Sequence, residues 1–448
     1  MQSLSLKSGV NFLTLLVFAV FYLIVTPLQA VSIKEVRSPG GIEAWLVQDK
    51  SVPVISLNFA FKTGGTAYDP QGKEGLARMV AAMLDEGAGP LNSQEFQKQI
   101  QGTAARLRFS ASTDKFRGSF RTLKDRKDEA FRLLGLALTK PRFDQRAITR
   151  IRGQIIASIQ RKAKDPDSIA IAAWYREAFP DHPYGNLGDG TVNSIKALNK
   201  NDLKEFMLRH VVRNSLFIAV AGDISSVELG QKLDQVFSKL PLNGSREKIM
   251  KISPMATGRT LVIERAIPQS IVIFGHSGIK RDHPDWYIAS VMNRILGGGG
   301  FSSRLMKEIR VKRGLAYGVY TYLNPYDHAA TYMGRVATAN ARVAESLKVI
   351  RREWKKFAVK GVTAEELEAA KTYINGSFPL RLDSTHRIAS LLLAVQVNNL
   401  GKDYLTTRAS LINAVTPSDI KRVARKILRP AALRAVIVGQ PDGIKTDH

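Results

Sequence analysis

Cysteine is absent from the 448-residue sequence. This absence excludes disulfides, thiol nucleophiles and cysteine metal ligands, so stability must come from the size of the hydrophobic core. Histidine is scarce as well, with seven residues scattered singly along the chain. No two of them stand one helical turn apart, the spacing at which a helix presents two imidazoles to one zinc ion.

Acidic residues are also few: 39 Asp and Glu oppose 66 Lys and Arg, which gives a formal net charge of +27. A charge of this size raises nucleic acid as a possible ligand. The basic residues, however, are spread over the whole chain, with no basic tail and no basic motif interleaved with aromatic residues. We therefore expect no nucleic-acid binding. We expect the positive charge to serve contact with an acidic partner protein or an anionic membrane surface instead.

Long hydrophobic runs are missing except near the N-terminus, where Val10 to Val25 is mostly apolar. Lys7 precedes this run, and Pro27 and Ala30 follow it. The pattern predicts a secretory signal over residues 1–30 with cleavage near Ala30. An uncleaved membrane anchor is the alternative. We expect an exported protein of the bacterial periplasm, a compartment with which a cysteine-free chain is compatible.

An internal repeat is present. Residues 201–222 match residues 418–439, so that Asp202 aligns with Asp419 and Gly222 with Gly439. A repeat at this distance indicates duplication of a whole domain. The polar segment between the copies is typical of a linker. We predict an N-terminal α+β half over 31–240, a linker over 241–259 and a C-terminal α+β half over 260–448.

The most informative stretch runs from Leu296 to Tyr317. Four glycines, Gly297–Gly300, follow an apolar helical pattern, so a helix should end there and the backbone can approach another group closely. Ser302 or Ser303 is expected to cap a new helix, and a strand is predicted from Leu315 to Leu323. One face of that strand is predicted to carry Tyr317, Val319 and Thr321.

Arg310 and Tyr317 stand seven residues apart in this stretch. A helix end that feeds a strand can bring the guanidinium and the phenol to one site, where both can donate hydrogen bonds to a developing oxyanion. Taken singly, Arg310 is explained as a cation near a helix C-terminus. Tyr317 alone is explained as an aromatic side chain that packs on a sheet.

With its two halves, the chain resembles the insulinase/pitrilysin family of zinc peptidases, which includes the mitochondrial processing peptidase. The resemblance covers nearly all of residues 31–448 and implies two homologous α+β halves that enclose a chamber. It is carried by the stretch from Leu296 to Tyr317 and by four shorter motifs. These are Gly64-Gly65, Gly75-Leu76-Ala77, His182-Pro183-Tyr184-Gly185 and Gly222-Asp223.

Active members of that family carry His-x-x-Glu-His directly after Gly-Leu-Ala, with two zinc ligands and a general base. In this sequence the five positions are Arg78, Met79, Val80, Ala81 and Ala82. The family's third ligand is a glutamate in a later helix, and no Asp or Glu occurs from Gln145 to Lys164. Arg78 also places a positive charge where a dication should bind. We expect this chain to bind no zinc and to be inactive alone.

The resemblance further implies a division of labour between two subunits. In two-chain members one subunit supplies zinc and base, and the other supplies an arginine and a tyrosine spaced as Arg310 and Tyr317 are. We therefore predict a heterodimer with a zinc-bearing homologous subunit, in which these two residues act in trans on a peptide substrate. Substrate binding is assigned to Gly298, Gly299, Gly300 and Phe301. The alternative is a catalytically dead peptide-binding or scaffold homologue.

Overall fold

The computed structural model describes residues 32–186, 188–244, 247–255 and 257–447. The predicted signal sequence, residues 1–30, lies outside the described residues. Within the described ranges, no helix is both long and apolar enough to span a membrane.

The first sheet has six strands in the order β1-β2-β6-β3-β5-β4. Its strands are β1 Lys34–Arg37, β2 Glu43–Gln48, β3 Val54–Phe61, β4 Arg106–Ala111, β5 Phe116–Leu123 and β6 Leu216–Gly222. β2 and β6 run parallel, and the other neighbours are antiparallel. β4 is the outermost strand on one side and pairs with β5 alone.

The second sheet has five strands in the order β7-β11-β8-β10-β9. Its strands are β7 Thr260–Glu264, β8 Gln269–Ser277, β9 Ala316–Pro325, β10 Ala330–Ala339 and β11 Arg434–Gly439. Only β7 and β11 are parallel. Apart from β1, each strand of the first sheet has a counterpart here, and the outermost strand β4 corresponds to β9. The fold is α+β, as the sequence predicts.

Each half contributes its own helices, and most of them cover one face of the sheet of the same half. In the first half they are α1 Leu76–Met83, α2 Ser93–Gly102, α3 Lys127–Thr139, α4 Gln145–Lys162, α5 Pro166–Ala178, α6 Val192–Ala197, α7 Lys200–His210 and α8 Ser226–Phe237. In the second half they are α9 Trp286–Asn293, α10 Val343–Lys360, α11 Ala364–Gly376, α12 Thr385–Val397, α13 Tyr404–Asn413 and α14 Pro417–Ile427. Each half has its own buried cluster of aliphatic and aromatic side chains.

The opposite face of each sheet is covered by a helix from the other half. α5 packs on β11 and β8 of the second sheet, where Trp174 joins a buried cluster with Ile273 and Val436. In the same way, α12 of the second half packs on β6 and β3 of the first sheet. Because each half completes the other, the described residues from Lys34 onwards form one compact unit.

The repeated segment folds in the same way twice. α7 followed by β6 corresponds to α14 followed by β11, and each strand lies parallel to one neighbour and antiparallel to the other. Both strands end at a glycine with positive φ, 137° at Gly222 and 152° at Gly439. A Cβ on Gly222 would lie 2.1 Å from the Val54 carbonyl oxygen, and one on Gly439 would lie 2.2 Å from the Ser270 hydroxyl. Only glycine fits either position.

Between α8 and β7, the described residues of the predicted linker form no helix or strand. Backbone hydrogen bonds nevertheless hold this segment against both halves. The Ile252 amide donates to the His328 carbonyl at 2.9 Å, and the Met255 amide donates to the Ala178 carbonyl at 2.8 Å.

Candidate functional site

The glycine-rich stretch forms two π-helical turns that flank a tight bend. The first turn, Arg294–Gly298, continues α9, and the second, Met306–Val311, leads towards β9. Between them the Ser303 hydroxyl accepts a hydrogen bond from the Met306 amide at 3.4 Å. Ser303 is thus the residue that caps the second turn, whereas the Ser302 hydroxyl donates back to the Gly299 carbonyl. π-Helical turns are rare and are frequently found at functional sites.

Close packing within the bend explains three of the four glycines. A Cβ on Gly297 would lie 2.3 Å from the Thr321 hydroxyl, and one on Gly299 would lie 2.4 Å from the Arg294 carbonyl oxygen. A Cβ on Gly298 would meet the Asn293 amide nitrogen at 2.5 Å. Beyond them, Gly300 has open space around it, and Phe301 lies at the surface with 66% of its area exposed. Of the residues assigned to substrate binding, Gly299 is buried and the other three are exposed.

Tyr317 lies at an irregularity in β9. The register of β9 against β10 runs from Val319 to Gly318 and then passes to Ala316, so Tyr317 is the extra residue of a β-bulge. The expectation that Tyr317 shares a face with Val319 and Thr321 is therefore wrong. Val319 and Thr321 are buried, but Tyr317 is 82% exposed. A bulge re-aims one side chain without changing the rest of the strand.

The bulge brings Tyr317 over Arg310. The Arg310 guanidinium carbon lies 4.3 Å from the centre of the Tyr317 ring and 4.6 Å from the centre of the Phe301 ring. These distances are those of cation–π contacts, so one guanidinium contacts two aromatic rings. We refer to Phe301, Arg310 and Tyr317 as the Arg310 cluster.

The polar groups of the Arg310 cluster have no protein partner among the described residues. Neither the Arg310 guanidinium nor the Tyr317 hydroxyl takes part in a hydrogen bond or ion pair there. Glu308, two residues before Arg310, is held instead by Lys312 and Arg313 at 2.6 and 2.7 Å. The hydrogen bond from Lys312 and the Arg313 guanidinium lower the pKa of the Glu308 carboxyl to about 2. Arg310 and Tyr317 therefore keep their N–H and O–H donors for a ligand.

A different set of residues occupies the positions of the family's metal motif on α1. The Arg78 guanidinium donates to Asp189, which also accepts from Lys162. A second Arg78 nitrogen donates to the Ser158 hydroxyl at 3.3 Å. We refer to Arg78, Ser158, Lys162 and Asp189 as the Arg78 cluster.

The Arg78 cluster does not fit a zinc ion. Two cations already share the Asp189 carboxylate, and Ala81 and Ala82 have no ligand atom to offer. Throughout the described ranges, no group of three or more His, Cys, Asp or Glu side chains is placed to hold a metal. The residues at these positions therefore do not support a zinc-dependent step by this chain on its own.

The two clusters are separate sets of contacts. Within the described residues, no hydrogen bond, ion pair or ring contact joins a member of the Arg310 cluster to a member of the Arg78 cluster. The sequence predictions include Arg78 but not Ser158, Lys162 and Asp189, the other three members of its cluster. Asp189 lies between Gly188 and Gly190 in the loop after His182-Pro183-Tyr184-Gly185. A carboxylate between two glycines, directly after a family motif, is the sequence feature that could have identified it.

The outer edge of β4 lies beside α1. α1 packs against β4, and the backbone groups of β4 that face away from β5 pair with no other strand among the described residues. An unpaired edge of this kind is a template for an added strand.

Comparisons with known proteins agree on one group. Residues 197–374 match the sequence model of a family described as Peptidase M16 inactive domain. A Helicobacter pylori protein named non-peptidase homolog YmxG is 31% identical over 332 residues, 74% of this chain and 76% of that protein. A Rickettsia bellii protein named uncharacterized zinc protease is 23% identical over 86% of this chain and 92% of its own length. The crystal structure of a peptidase M16 inactive domain from Pseudomonas fluorescens has a TM-score of 0.86 at 27% identity, covering 93% of this chain and 100% of that one.

Proposed function

This chain belongs to the peptidase M16 family as an inactive member, and we propose that it is the metal-free subunit of a two-chain peptidase. In this proposal a homologous subunit bears the zinc. Arg310 and Tyr317 of this chain complete the site in trans.

The observation that carries the proposal is the arrangement of the Arg310 cluster. Two rings hold the guanidinium in place, and its donors and the neighbouring phenol have no partner among the described residues. Donors fixed before the reaction stabilise an oxyanion without a reorganisation cost, and each is typically worth ~2.7–4 kcal/mol of transition-state stabilisation. A purely structural arginine would be expected to pair with a carboxylate, and Glu308 is close in sequence but bonded elsewhere.

The division of labour follows from what this chain lacks. Zinc on the partner subunit would polarise the scissile carbonyl and activate the attacking water. Arg310 and Tyr317 would bind the carbonyl oxygen and the negative charge that develops on it. The exposed residues Gly298, Gly300 and Phe301 would contact the peptide beside that point.

The substrate in this proposal is an extended peptide. The unpaired edge of β4 offers backbone donors and acceptors that an added strand can use. The net charge of +27 supports an acidic partner or acidic substrates. We place the assembly in the bacterial periplasm, with the signal over residues 1–30, and an anionic membrane surface is a further possible contact.

The test is to purify the chain alone and as the complex that it forms in its source cell, and to assay hydrolysis of an unfolded polypeptide. We expect no hydrolysis by the isolated chain. The complex should be active, should contain a homologous chain with an intact His-x-x-Glu-His motif, and should lose activity to a chelator. Hydrolysis by the isolated chain would overturn the proposal.

A catalytically dead peptide-binding or scaffold protein is the second candidate. The ion network of the Arg78 cluster supports it, because the former metal position now serves packing between α1, α4 and the Asp189 loop. A scaffold has no use for the free donors of Arg310 and Tyr317. Full function of a complex that carries both Arg310→Ala and Tyr317→Phe would favour this candidate.

A further inference from the structure

A groove of about 620 Å³ lies on the first sheet, on the face opposite its own helices. Its floor is the β4–β5 hairpin, and part of its wall is α12 from the other half. The hairpin contributes four arginines to the lining, and no acidic residue takes part. The arginines are Arg106, Arg108, Arg117 and Arg121.

Strand alternation puts all four arginines on one face. Arg106 and Arg108 are two residues apart on β4, and Arg121 lies directly opposite Arg106 on β5. Like charges directly opposite each other destabilise a hairpin, and this pair has no compensating contact. Among the described residues, none of the four guanidinium groups forms an ion pair or a side-chain hydrogen bond. Asp114 and Asp327 are near enough to offset part of the charge of Arg117, although no ion pair forms. The positive charge of Arg106, Arg108 and Arg121 has no such compensation, so it destabilises the hairpin.

The position of α12 leaves this face open. α12 packs on β6 and β3, where the side chains of Asn58 and Ser390 share a 2.8 Å hydrogen bond. The helix does not extend over β5 and β4, so the four arginines are exposed to solvent. The open groove runs alongside the unpaired edge of β4.

The geometry favours a polypeptide over a nucleic acid. Side chains on one face of an extended strand recur every ~6.6–6.8 Å, so every second residue of a peptide beside β4 would match the Arg106–Arg108 spacing. Single-stranded nucleic acid needs exposed aromatic rings on which bases stack. Phe109, the one Phe, Tyr or Trp of the groove lining, packs against Phe59 and Phe116, and His386 is the only other ring in that lining.

We propose that this arginine groove binds an acidic polypeptide segment in extended conformation, with carboxylates at every second residue facing Arg106 and Arg108. This proposal extends the function proposed above. It rests on that function only for the statement that the bound segment is part of a substrate. Charge-assisted hydrogen bonds from guanidinium groups to those carboxylates would supply the specificity.

The test measures binding of a fluorescent peptide that alternates glutamate and threonine to the full-length isolated chain. The control peptide alternates glutamine and threonine at the same length. The variant Arg106→Gln/Arg108→Gln is compared with Arg146→Gln/Arg425→Gln, which removes the same charge from two exposed positions without described side-chain contacts on α4 and α14. A single-stranded DNA oligonucleotide of equal charge serves as competitor.

We expect the glutamate peptide to bind at least about tenfold more tightly than the glutamine peptide. The groove variant should lose that preference, and the control variant should keep it. Thermal unfolding should show the groove variant as stable as the wild type or more so, because repulsion between arginines is relieved. Equal loss in both variants, no preference between the peptides, or tighter binding of the oligonucleotide would each overturn the proposal. Because no hydrolysis is measured, this outcome is independent of whether the two-chain peptidase is correct.

Discussion

The Arg310 guanidinium lies over the face of the Tyr317 ring, 4.3 Å from its centre. Two local irregularities produce this contact. A π-helical turn ends the helix that carries Arg310, and a β-bulge turns Tyr317 out of the strand that follows. Either residue on a regular element would point elsewhere. The chain thus departs from regular structure at the pair that we assign to the substrate.

Tyr317→Phe distinguishes the role of the Tyr317 hydroxyl from that of its ring. This variant keeps the ring beside Arg310 and removes only the hydroxyl donor, so assembly and stability should not change. If the hydroxyl binds the oxyanion, kcat/KM of the two-chain complex should fall by about 10²–10³. Tyr320→Phe, an exposed tyrosine on the same strand, is the matched control and should have wild-type turnover. Equal activity of the two variants would show that the Tyr317 hydroxyl takes no part in the reaction.

Arg310→Lys tests the guanidinium in the same assay. Lysine keeps the charge but lacks the planar group that stacks on two rings and donates in a fixed direction. We expect a fall in kcat/KM of about 10²-fold with assembly intact. Wild-type turnover of this variant would show that charge alone is sufficient and would contradict the directional role.

The contact between Glu177 of α5 and Arg434 of β11 joins the two halves and should contribute to the stability of the whole chain. The Arg434 guanidinium is only 4% exposed and donates to Glu177 at 2.9 Å. Glu177→Gln leaves the buried cation without a charged partner. Because the Glu177 side chain is 47% exposed, the free energy of unfolding should fall by less than for a fully buried pair, by about 1.5–3 kcal/mol. Glu264→Gln removes an exposed carboxylate with no described ion pair and should change stability little. Denaturant titration distinguishes the two, and equal stabilities would contradict the coupling.

Acid should destabilise the second half through His276. Burial is the main cause that lowers the pKa of His276 to about 4, and the charge of Arg429 adds to it. The ring accepts a hydrogen bond from the Arg429 amide at Nε2 and donates from Nδ1 to the Ser277 carbonyl, so it has no place for a second proton. Protons then bind the unfolded state first. This contribution is complete above the unfolded pKa near 6.5 and is lost towards pH 4, by at most about 1.4 kcal/mol per pH unit.

The measurement is the free energy of unfolding at several pH values between 7 and 4, for the wild type, His276→Gln and His386→Gln. His386 is exposed on α12 and serves as the control. The slope should be shallower in His276→Gln only. Identical slopes in all three proteins would contradict the assignment.

Features of the site that depend on neighbouring residues can be predicted from the sequence. Features that depend on contacts between distant parts of the chain cannot. Ser303 as a cap and the approach of Arg310 to Tyr317 depend on residues within one short stretch. The repeat of α7–β6 as α14–β11 is likewise visible in the aligned residues. The bulge at Tyr317 escaped prediction because it depends on the pairing of β9 with β10. The exchange of α5 and α12, and the partners of Arg78, depend on contacts between distant residues that no local pattern encodes.

The central claim is that this chain supplies hydrogen-bond donors and that its metal lies on another subunit. The most direct test is the zinc content of the purified isolated chain after equilibration with zinc and removal of weakly bound metal. We predict far less than one zinc per chain, because Arg78 and Lys162 share Asp189 where the family's metal would bind. One tightly held zinc per chain, removed only by a strong chelator, would contradict the account.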